Sequence, residues 1–171
     1  MTYLEYKKDI EFNQAEYDRI AAAAKEIGID WTASVWDIDS ARFMMQYKEE
    51  IPFIKIPSAC ITDIELLKTV RDSGMKVVMS GGMANLHMIE TALNVLDDSV
   101  VGLLHCNSTY PSKEEELDLN VIANYVDRYP NLTIGYSSHD VSNIPCLLAV
   151  AAGAEVIERH FTMDTTMPGT D

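Results

Sequence analysis

The regular alternation of strand and helix patterns is the feature that most constrains the fold of this chain. Short segments rich in Val and Ile, typical of strands, begin near residues 31, 53, 76, 100, 132 and 155. They are apolar on both faces, as strands of a parallel sheet covered by helices are. A dozen or more residues of helical pattern separate them, the length of a crossover between parallel strands. The sequence therefore predicts one α/β domain of about six strand–helix units.

Capping signals place the ends of two helices. Asn13 and Glu16 form a capping-box pair at the start of QAEYDRIAAAAKEI, and Gly28 is a natural residue to end that helix. Thr62 and Glu65 have the same spacing at the start of a helix that ends before Gly74. Both segments are therefore predicted as helices with these N-terminal boundaries.

Polar residues at the ends of the predicted strands distinguish between parallel-sheet folds. Four strands end in a serine, one ends in His105-Cys106-Asn107-Ser108 and the last ends in His160. A (β/α)₈ barrel draws its functional groups from many strand ends, whereas a doubly wound sheet gathers them at one switch point, usually with a Gly-rich turn. Gly81-Gly82 fits no such turn. A full barrel has about 250 residues, so residues 1–171 are predicted to form a partial (β/α)₈ TIM barrel.

Composition excludes several classes of protein. The chain has 13 Lys+Arg against 27 Asp+Glu, a formal charge of −14 with no basic cluster, which argues against a nucleic-acid binder. No apolar run reaches the roughly 18 residues of a membrane span, and the N-terminus lacks a signal-peptide core. Three widely spaced cysteines fit no disulfide framework or zinc finger. We expect a cytoplasmic enzyme.

Two histidines are candidate metal ligands. His139 follows the strand LTIGYS, and His160 ends the last strand on the same face as Glu158. If the two strands are neighbours, both imidazoles and the carboxylate can form a divalent-metal site. The alternative is that each imidazole only binds loop backbone. Glu158 is a candidate general acid or base, or a group that orients His160, and pairing with Lys55 is the alternative.

Lys55 is the unusual residue of the strand PFIKIPS, because a buried lone ammonium is costly. It is a candidate anion clamp or Schiff-base lysine, and a structural salt bridge is the alternative. Four serines at strand ends are candidates for a joint phosphate site through hydroxyl and N–H groups, although each alone would be an ordinary turn residue. They are Ser34, Ser58, Ser80 and Ser137.

Six stretches of the chain resemble the sialic acid synthase family, which condenses phosphoenolpyruvate with an N-acylated sugar. They are ASVWDIDS, FIKIPSA, VVMSGGM, LLHCNSTYP, IGYSSHD and VIERHFTMDTTMPGTD, from about residue 30 to the end. ASVWD and KIPSA are more similar to the legionaminic acid branch. The resemblance implies that the chain supplies strands 3–8 of a barrel. It also implies that the first two strands and a C-terminal antifreeze-like domain lie outside the chain, and that the full-length protein is a homodimer.

The resemblance also implies roles for individual residues. His139 and His160 would hold Mn²⁺, or Mg²⁺ or Co²⁺, with Glu158 beside the metal as a catalytic residue. Tyr110 would face the N-acylated hexosamine, as would Asp171, a second catalytic residue. Phosphoenolpyruvate would be held by Ser34, Lys55, Ser58, Ser80, Ser108 and Ser137. The family's first-strand glutamate and second lysine have no counterpart in the chain, so the chain alone is expected to be catalytically incomplete.

Three other functions stay open at this level. Another phosphoenolpyruvate–sugar condensing barrel, of the type that makes octulosonate phosphate, would need a second phosphate pocket, and no extra Arg/Lys pair is visible. A catalytically incomplete chain could act as an assembly partner, since open sheet edges favour self-association. A metal-dependent hydrolase would carry His-x-His on an early strand, which this sequence lacks.

Overall fold

The computed structural model describes residues 2–166, which form one parallel sheet curled into a half-barrel with helices on its outer side. The sheet follows sequence order from β1 to β5. Its strands are β1 (Ile54–Ile56), β2 (Val77–Ser80), β3 (Val100–Cys106), β4 (Thr133–Ser138) and β5 (Val156–Arg159). The helices are α1 (Tyr3–Ile10), α2 (Gln14–Ile27), α3 (Ile38–Met44), α4 (Ile64–Asp72), α5 (Leu86–Leu96), α6 (Asn120–Arg128) and α7 (Ile144–Ala151). The predicted partial barrel is confirmed.

The strand predicted near residue 31 is wrong as a regular strand. Its segment lies beside β1 but forms only one bridge, between Ser34 and Lys55. The Val35 N–H donates to the Lys55 carbonyl at 3.0 Å, and the Lys55 N–H donates to the Ala33 carbonyl at 3.3 Å. Two residues later the Asp37 carboxylate accepts the Ser40 N–H and caps α3. The chain therefore leaves the sheet before a ladder can form.

The helix ends show which capping signals are decisive. α2 begins and ends as predicted, with reciprocal bonds between Asn13 and Glu16 and a left-handed Gly28 at φ 79°. The predicted Thr62–Glu65 box is wrong, because Asp63 is the N-cap of α4 and accepts the Leu66 N–H at 3.0 Å. A carboxylate caps at least as well as a hydroxyl. α1 was not predicted from the sequence.

The core lies between the outer face of the sheet and the helices. Alternate strand residues point outward, and apolar side chains of α4, α5 and α6 cover them. The members of this layer are almost fully buried: Ile54, Ile56, Leu66, Leu67, Val70, Val77, Met79, Ile89, Leu96, Leu103, Ile122 and Ile134. Burying each such side chain contributes about 1.5–3 kcal/mol, so this layer fixes the sheet on which the inner face is built.

The inner face carries polar groups instead. Lys55 lies between the outward-facing Ile54 and Ile56 of β1, and in the ladder Ser137 is opposite Cys106 on one side and Glu158 on the other. Because side chains alternate along a strand, these polar residues share the concave face. They gather near the carboxyl ends of the strands, where sites form in barrels.

One part of the helical layer is uncovered. We call the residues Val141, Ile144, Leu147, Leu148 and Val150 the α7 patch; their exposed fractions run from 54 to 83%. The neighbouring β5 residues Val156 and Ile157 are also exposed. Within residues 2–166, no helix has the length and apolar character needed to cross a bilayer.

Candidate active site at the carboxyl edge of the sheet

A cavity of about 280 Å³ opens on the concave face at the carboxyl ends of the strands. The structure brings together at its walls every candidate residue that it describes: Ser34, Lys55, Ser58, Ser80, Ser108, Tyr110, Ser137, His139, Glu158 and His160. Asp171 lies outside the described residues. The roles implied for these side chains stay predictions, but residues more than a hundred positions apart do meet in one place.

Lys55 and Glu158 form an ion pair across the half-barrel. The ammonium lies 2.6 and 2.8 Å from the two carboxylate oxygens, and the Ser137 hydroxyl donates to one of them at 2.8 Å. Burial alone would raise the pKa of Glu158, but the Lys55 charge and the Ser137 hydrogen bond outweigh it and hold that pKa below its usual value. Lys55 and Glu158 therefore form the salt bridge that was the alternative prediction for each of them, and the Lys55 side chain is 7% exposed at the cavity wall.

That pairing distinguishes between the two functional interpretations of Lys55. An amine that forms a Schiff base must be uncharged to attack a carbonyl. Lys55 instead donates to both oxygens of the Glu158 carboxylate. An amine that already donates to an anionic group at the cavity wall suits an anion clamp, because a ligand anion can share its donors.

Ser80 is the clearest sign of a missing ligand group. Its side chain is 2% exposed, and its hydroxyl has no hydrogen-bond partner within residues 2–166. A buried hydroxyl without a partner costs about 1–3 kcal/mol. Since Ser80 lines the cavity, an acceptor or donor of a bound molecule would satisfy it.

Gly82 is a residue of the cavity region that was not predicted from the sequence. Its N–H donates to the Ser58 hydroxyl at 3.0 Å. A Cβ on this residue would lie 2.4 Å from the Ser108 Oγ and 2.8 Å from the Ser58 Oγ. Only glycine lets these two serines approach the backbone so closely. The signal available was the Gly81-Gly82 pair directly after Ser80.

His139 is held in one tautomer by a backbone group. Its Nδ1 lies 2.6 Å from the Asn107 carbonyl oxygen, which can only accept, so Nδ1 carries the hydrogen. In the neutral imidazole the lone pair is then on Nε2, which accepts the Tyr110 hydroxyl at 2.8 Å. The rings of Tyr110 and His139 stack with centroids 4.0 Å apart. Asn107, which the sequence analysis did not select, therefore decides which nitrogen of His139 can bind a ligand.

His160 lies beside this pair. Its ring centroid is 5.5 Å from that of His139 and 5.8 Å from that of Tyr110. β4 and β5 are neighbours in the sheet, which was the condition set for the two imidazoles to meet at one site. Through the Asn107 carbonyl, His139 also makes the backbone contact that was the alternative for it.

Cys106 lies at the back of the cavity, 3.6 Å from the His139 Nδ1. Burial raises the pKa of its thiol, but His139, Ser58 and Ser137 lower it by more, and the net direction is downward. Burial lowers the pKa of His139, whereas Cys106, the Asn107 carbonyl and Glu158 raise it to a net increase. For both groups, interactions with neighbouring polar groups therefore outweigh the effect of burial on the pKa.

The donor set fits a metal ion only in part. Two imidazoles suit a divalent ion that accepts nitrogen ligands. Among residues 2–166, no group of three or more His, Cys, Asp or Glu side chains converges to hold a metal. The fixed tautomer of His139 agrees with a ligand role, since a carbonyl on the other ring nitrogen is the usual support. Any ion bound here would need water or substrate oxygens as its other ligands.

The fold and the cavity together define an α/β half-barrel whose site lies at the carboxyl ends of its parallel strands. The chain belongs to the NeuB family, whose sequence profile matches residues 1–171. This confirms the resemblance drawn from the six motifs.

Curated relatives are similar over nearly all of the chain. N-acetylneuraminate-9-phosphate synthase of Drosophila melanogaster is 35% identical, covering 99% of the chain and 46% of its own length. N,N'-diacetyllegionaminic acid synthase of Campylobacter jejuni is 35% identical, covering 98% of the chain and 51% of its own length. The chain thus spans about half the length of these relatives.

Solved structures confirm the fold. The N-acetylneuraminic acid (sialic acid) synthetase of Leptospira borgpetersenii superposes with a TM-score of 0.84 at 34% identity, over 90% of the chain and 54% of that structure. A 3-deoxy-D-arabino-heptulosonate 7-phosphate synthase from Thermotoga maritima superposes with a TM-score of 0.68 at 16% identity, over 86% of the chain and 60% of that structure, which shows a shared fold alone.

Proposed function

We propose that the protein formed by this chain condenses phosphoenolpyruvate with an N-acylated hexosamine to give a nonulosonic acid, of the sialic or legionaminic type, and phosphate. The observation that carries the proposal is the meeting in one cavity of an inward ammonium, two imidazoles and a buried hydroxyl that has no partner in the described part of the chain. The names of the relatives support the product class.

The anionic substrate would occupy the Lys55 side of the cavity. The Lys55 ammonium and the hydroxyls of the serines would bind its phosphate and carboxylate, and Ser80 would gain its missing partner. Glu158 and Ser137 would keep the ammonium directed into the cavity. At a net charge of −14 the chain repels anions at long range, so these local donors must supply the binding.

The reaction needs little covalent chemistry from the protein. Carbon 3 of phosphoenolpyruvate forms a bond to the aldehyde carbon of the open-chain sugar, the oxygen of a water adds to carbon 2, and the C–O bond to phosphate breaks. The two protons of that water go to the former aldehyde oxygen and to the leaving phosphate. His139 and His160 would hold a divalent ion, Mn²⁺ or a similar one, which supplies Lewis-acid polarisation of the aldehyde oxygen. The residues of the chain would position the two substrates and exclude alternative geometries. We propose a cytoplasmic setting, with which the three free cysteines agree.

Phosphate release with phosphoenolpyruvate, a panel of N-acylated hexosamines and Mn²⁺ tests the proposal, with mass spectrometry of the product. Both the isolated chain and the protein from the complete reading frame should be assayed. His139→Ala and His160→Ala should each abolish turnover, whereas His87→Ala, an exposed residue of α5, should behave like the parent. Absence of sugar-dependent phosphate release from the complete protein would reject the proposal.

A second function has one observation in its favour. The α7 patch places five exposed apolar residues within ten positions of the chain, and large exposed apolar patches mark interaction sites in soluble proteins. The chain could therefore serve as an assembly partner without turnover of its own. Inactivity of the isolated chain, together with activation of a co-expressed family member, would favour this function over condensation.

A further inference from the structure

Arg159 contacts four residues of the segment that carries His139. Its Nη1 donates to the Ser138 hydroxyl at 2.8 Å and to the Ser142 carbonyl at 2.9 Å. Its Nη2 donates to the carbonyls of Asp140 and Val141, each at 3.0 Å. One side chain from β5 thus binds residues on both sides of His139.

A buried carboxylate completes this arrangement. Asp140 lies 3.4 Å from the Arg159 guanidinium and also accepts the Tyr136 hydroxyl at 3.0 Å and the Ser138 hydroxyl at 2.6 Å. Its side chain is 1% exposed. The guanidinium, the carboxylate and the two hydroxyls form one network at the back of the turn that presents His139.

The position of Arg159 in the chain gives this network a second consequence. His160 follows Arg159 directly, so any shift of the guanidinium relative to the turn also shifts one imidazole relative to the other. We propose that Arg159 is a positioning residue that sets the separation of His139 and His160, and with it the affinity of the site for a divalent ion. The inference rests on the proposed function in so far as it takes the two imidazoles as metal ligands.

The contacts require a guanidinium. The two terminal nitrogens of its planar group bind separate acceptors. Nη2 binds the carbonyls of Asp140 and Val141, and Nη1 binds the Ser138 hydroxyl and the Ser142 carbonyl. A lysine ammonium keeps the charge beside Asp140 but is a single point and cannot reach all four acceptors. Arg159→Lys therefore separates the positioning contacts from the charge.

The first test is a Mn²⁺ titration of the purified chain, followed by electron paramagnetic resonance of the free ion. Arg159→Lys should weaken Mn²⁺ binding by about tenfold or more, as loss of a group that orients metal ligands does. Ser138→Ala removes one of the acceptors and should give a smaller change in the same direction. Arg128→Lys is the matched control, because Arg128 pairs with Glu90 on the outer helices, and it should leave the affinity unchanged.

The second test needs no metal. Imidazole resonances in ¹H–¹⁵N spectra report the His139 Nδ1–H bonded to Asn107, and His105, bonded to the Leu117 carbonyl, is an internal reference. Arg159→Lys should shift or broaden the His139 signal and leave the His105 signal in place. Unchanged His139 signals in a folded Arg159→Lys or Ser138→Ala variant would overturn the inference. The two proposals can fail separately. If Arg159→Lys shifts the His139 signal but the parent chain binds no Mn²⁺, Co²⁺ or Zn²⁺, the proposed metal is rejected and the positioning role of Arg159 is retained.

Discussion

Replacing Tyr110 by phenylalanine should tighten metal binding, although Tyr110 lies in the candidate site. The Tyr110 hydroxyl donates at 2.8 Å to the Nε2 of His139, the nitrogen whose lone pair a metal would need. An ion and this hydroxyl therefore compete for one lone pair. Phenylalanine removes the competitor and keeps the ring that stacks on His139 at 4.0 Å.

The magnitude follows from the hydrogen bond that must break. A hydrogen bond of this type contributes a net of about 0.5–1.5 kcal/mol, so the dissociation constant for Mn²⁺ should fall roughly 2- to 13-fold. Since Tyr110 is 51% exposed, water can satisfy its hydroxyl after it leaves, and the lower half of this range is expected.

Isothermal titration of the metal-free chain with MnCl₂ measures this effect. Tyr47→Phe is the control, because its hydroxyl also makes a hydrogen bond, to Asp18 at 2.7 Å, but lies far from the cavity. Its Mn²⁺ affinity should equal that of the parent. Weaker binding by Tyr110→Phe would show that the hydroxyl supports the ion, for example through a bound water, and would refute the competition argument.

Four further outcomes are expected. Lys55→Ala should weaken phosphoenolpyruvate binding by roughly 10- to 100-fold and Lys55→Arg by less, and borohydride treatment with substrate should leave no adduct on Lys55 by mass spectrometry. Ser80→Ala should keep the urea midpoint near that of the parent while it weakens phosphoenolpyruvate binding, because the hydroxyl has no hydrogen-bond partner among the residues that the structure describes. Burial lowers the pKa of His105 below its usual 6.5, so the unfolded state binds a proton more readily than the folded state. The free energy of unfolding should therefore decline as pH falls below about 6.5. His105→Gln should lessen that decline, measured by urea titrations at pH 7.5 and 5.5. Leu147→Lys in the α7 patch should raise the monomer fraction in sedimentation experiments, and an unchanged distribution would exclude the patch as a contact between copies.

Local signals were sufficient for much of the fold. The capping pair of Asn13 and Glu16 acts within one helical turn, so the spacing of the two residues in the sequence is enough to predict their contact. Two errors came from competing local groups. Asp63, and not Thr62, caps α4. Asp37 caps α3 so soon after Trp31 that the segment between them does not form a regular strand.

The site was predictable as a set of residues but not as a set of contacts. Parallel strands bring their carboxyl ends together, and this placed Lys55, Glu158 and His139 in one cavity. The pairing of Lys55 with Glu158 depends on how strongly the sheet curls across the intervening strands, which no pattern in the sequence specifies. The tautomer of His139 likewise depends on a backbone carbonyl, and residue type carries no information about where a carbonyl points.

The order of the sheet has a consequence for how the molecule assembles and opens. Every ladder joins strands that are successive in the sequence, β1 to β2 and so on to β5. Each strand can therefore dock on its predecessor after closing only the one helical crossover that joins the two, as in repeat proteins, and nucleation can begin in the interior and spread to either side. Opening should run in the reverse order. Amide hydrogens of β3 should exchange last and those of the two edge strands, β1 and β5, early, so that the contact between Lys55 of one edge and Glu158 of the other is lost while the middle of the sheet is still closed.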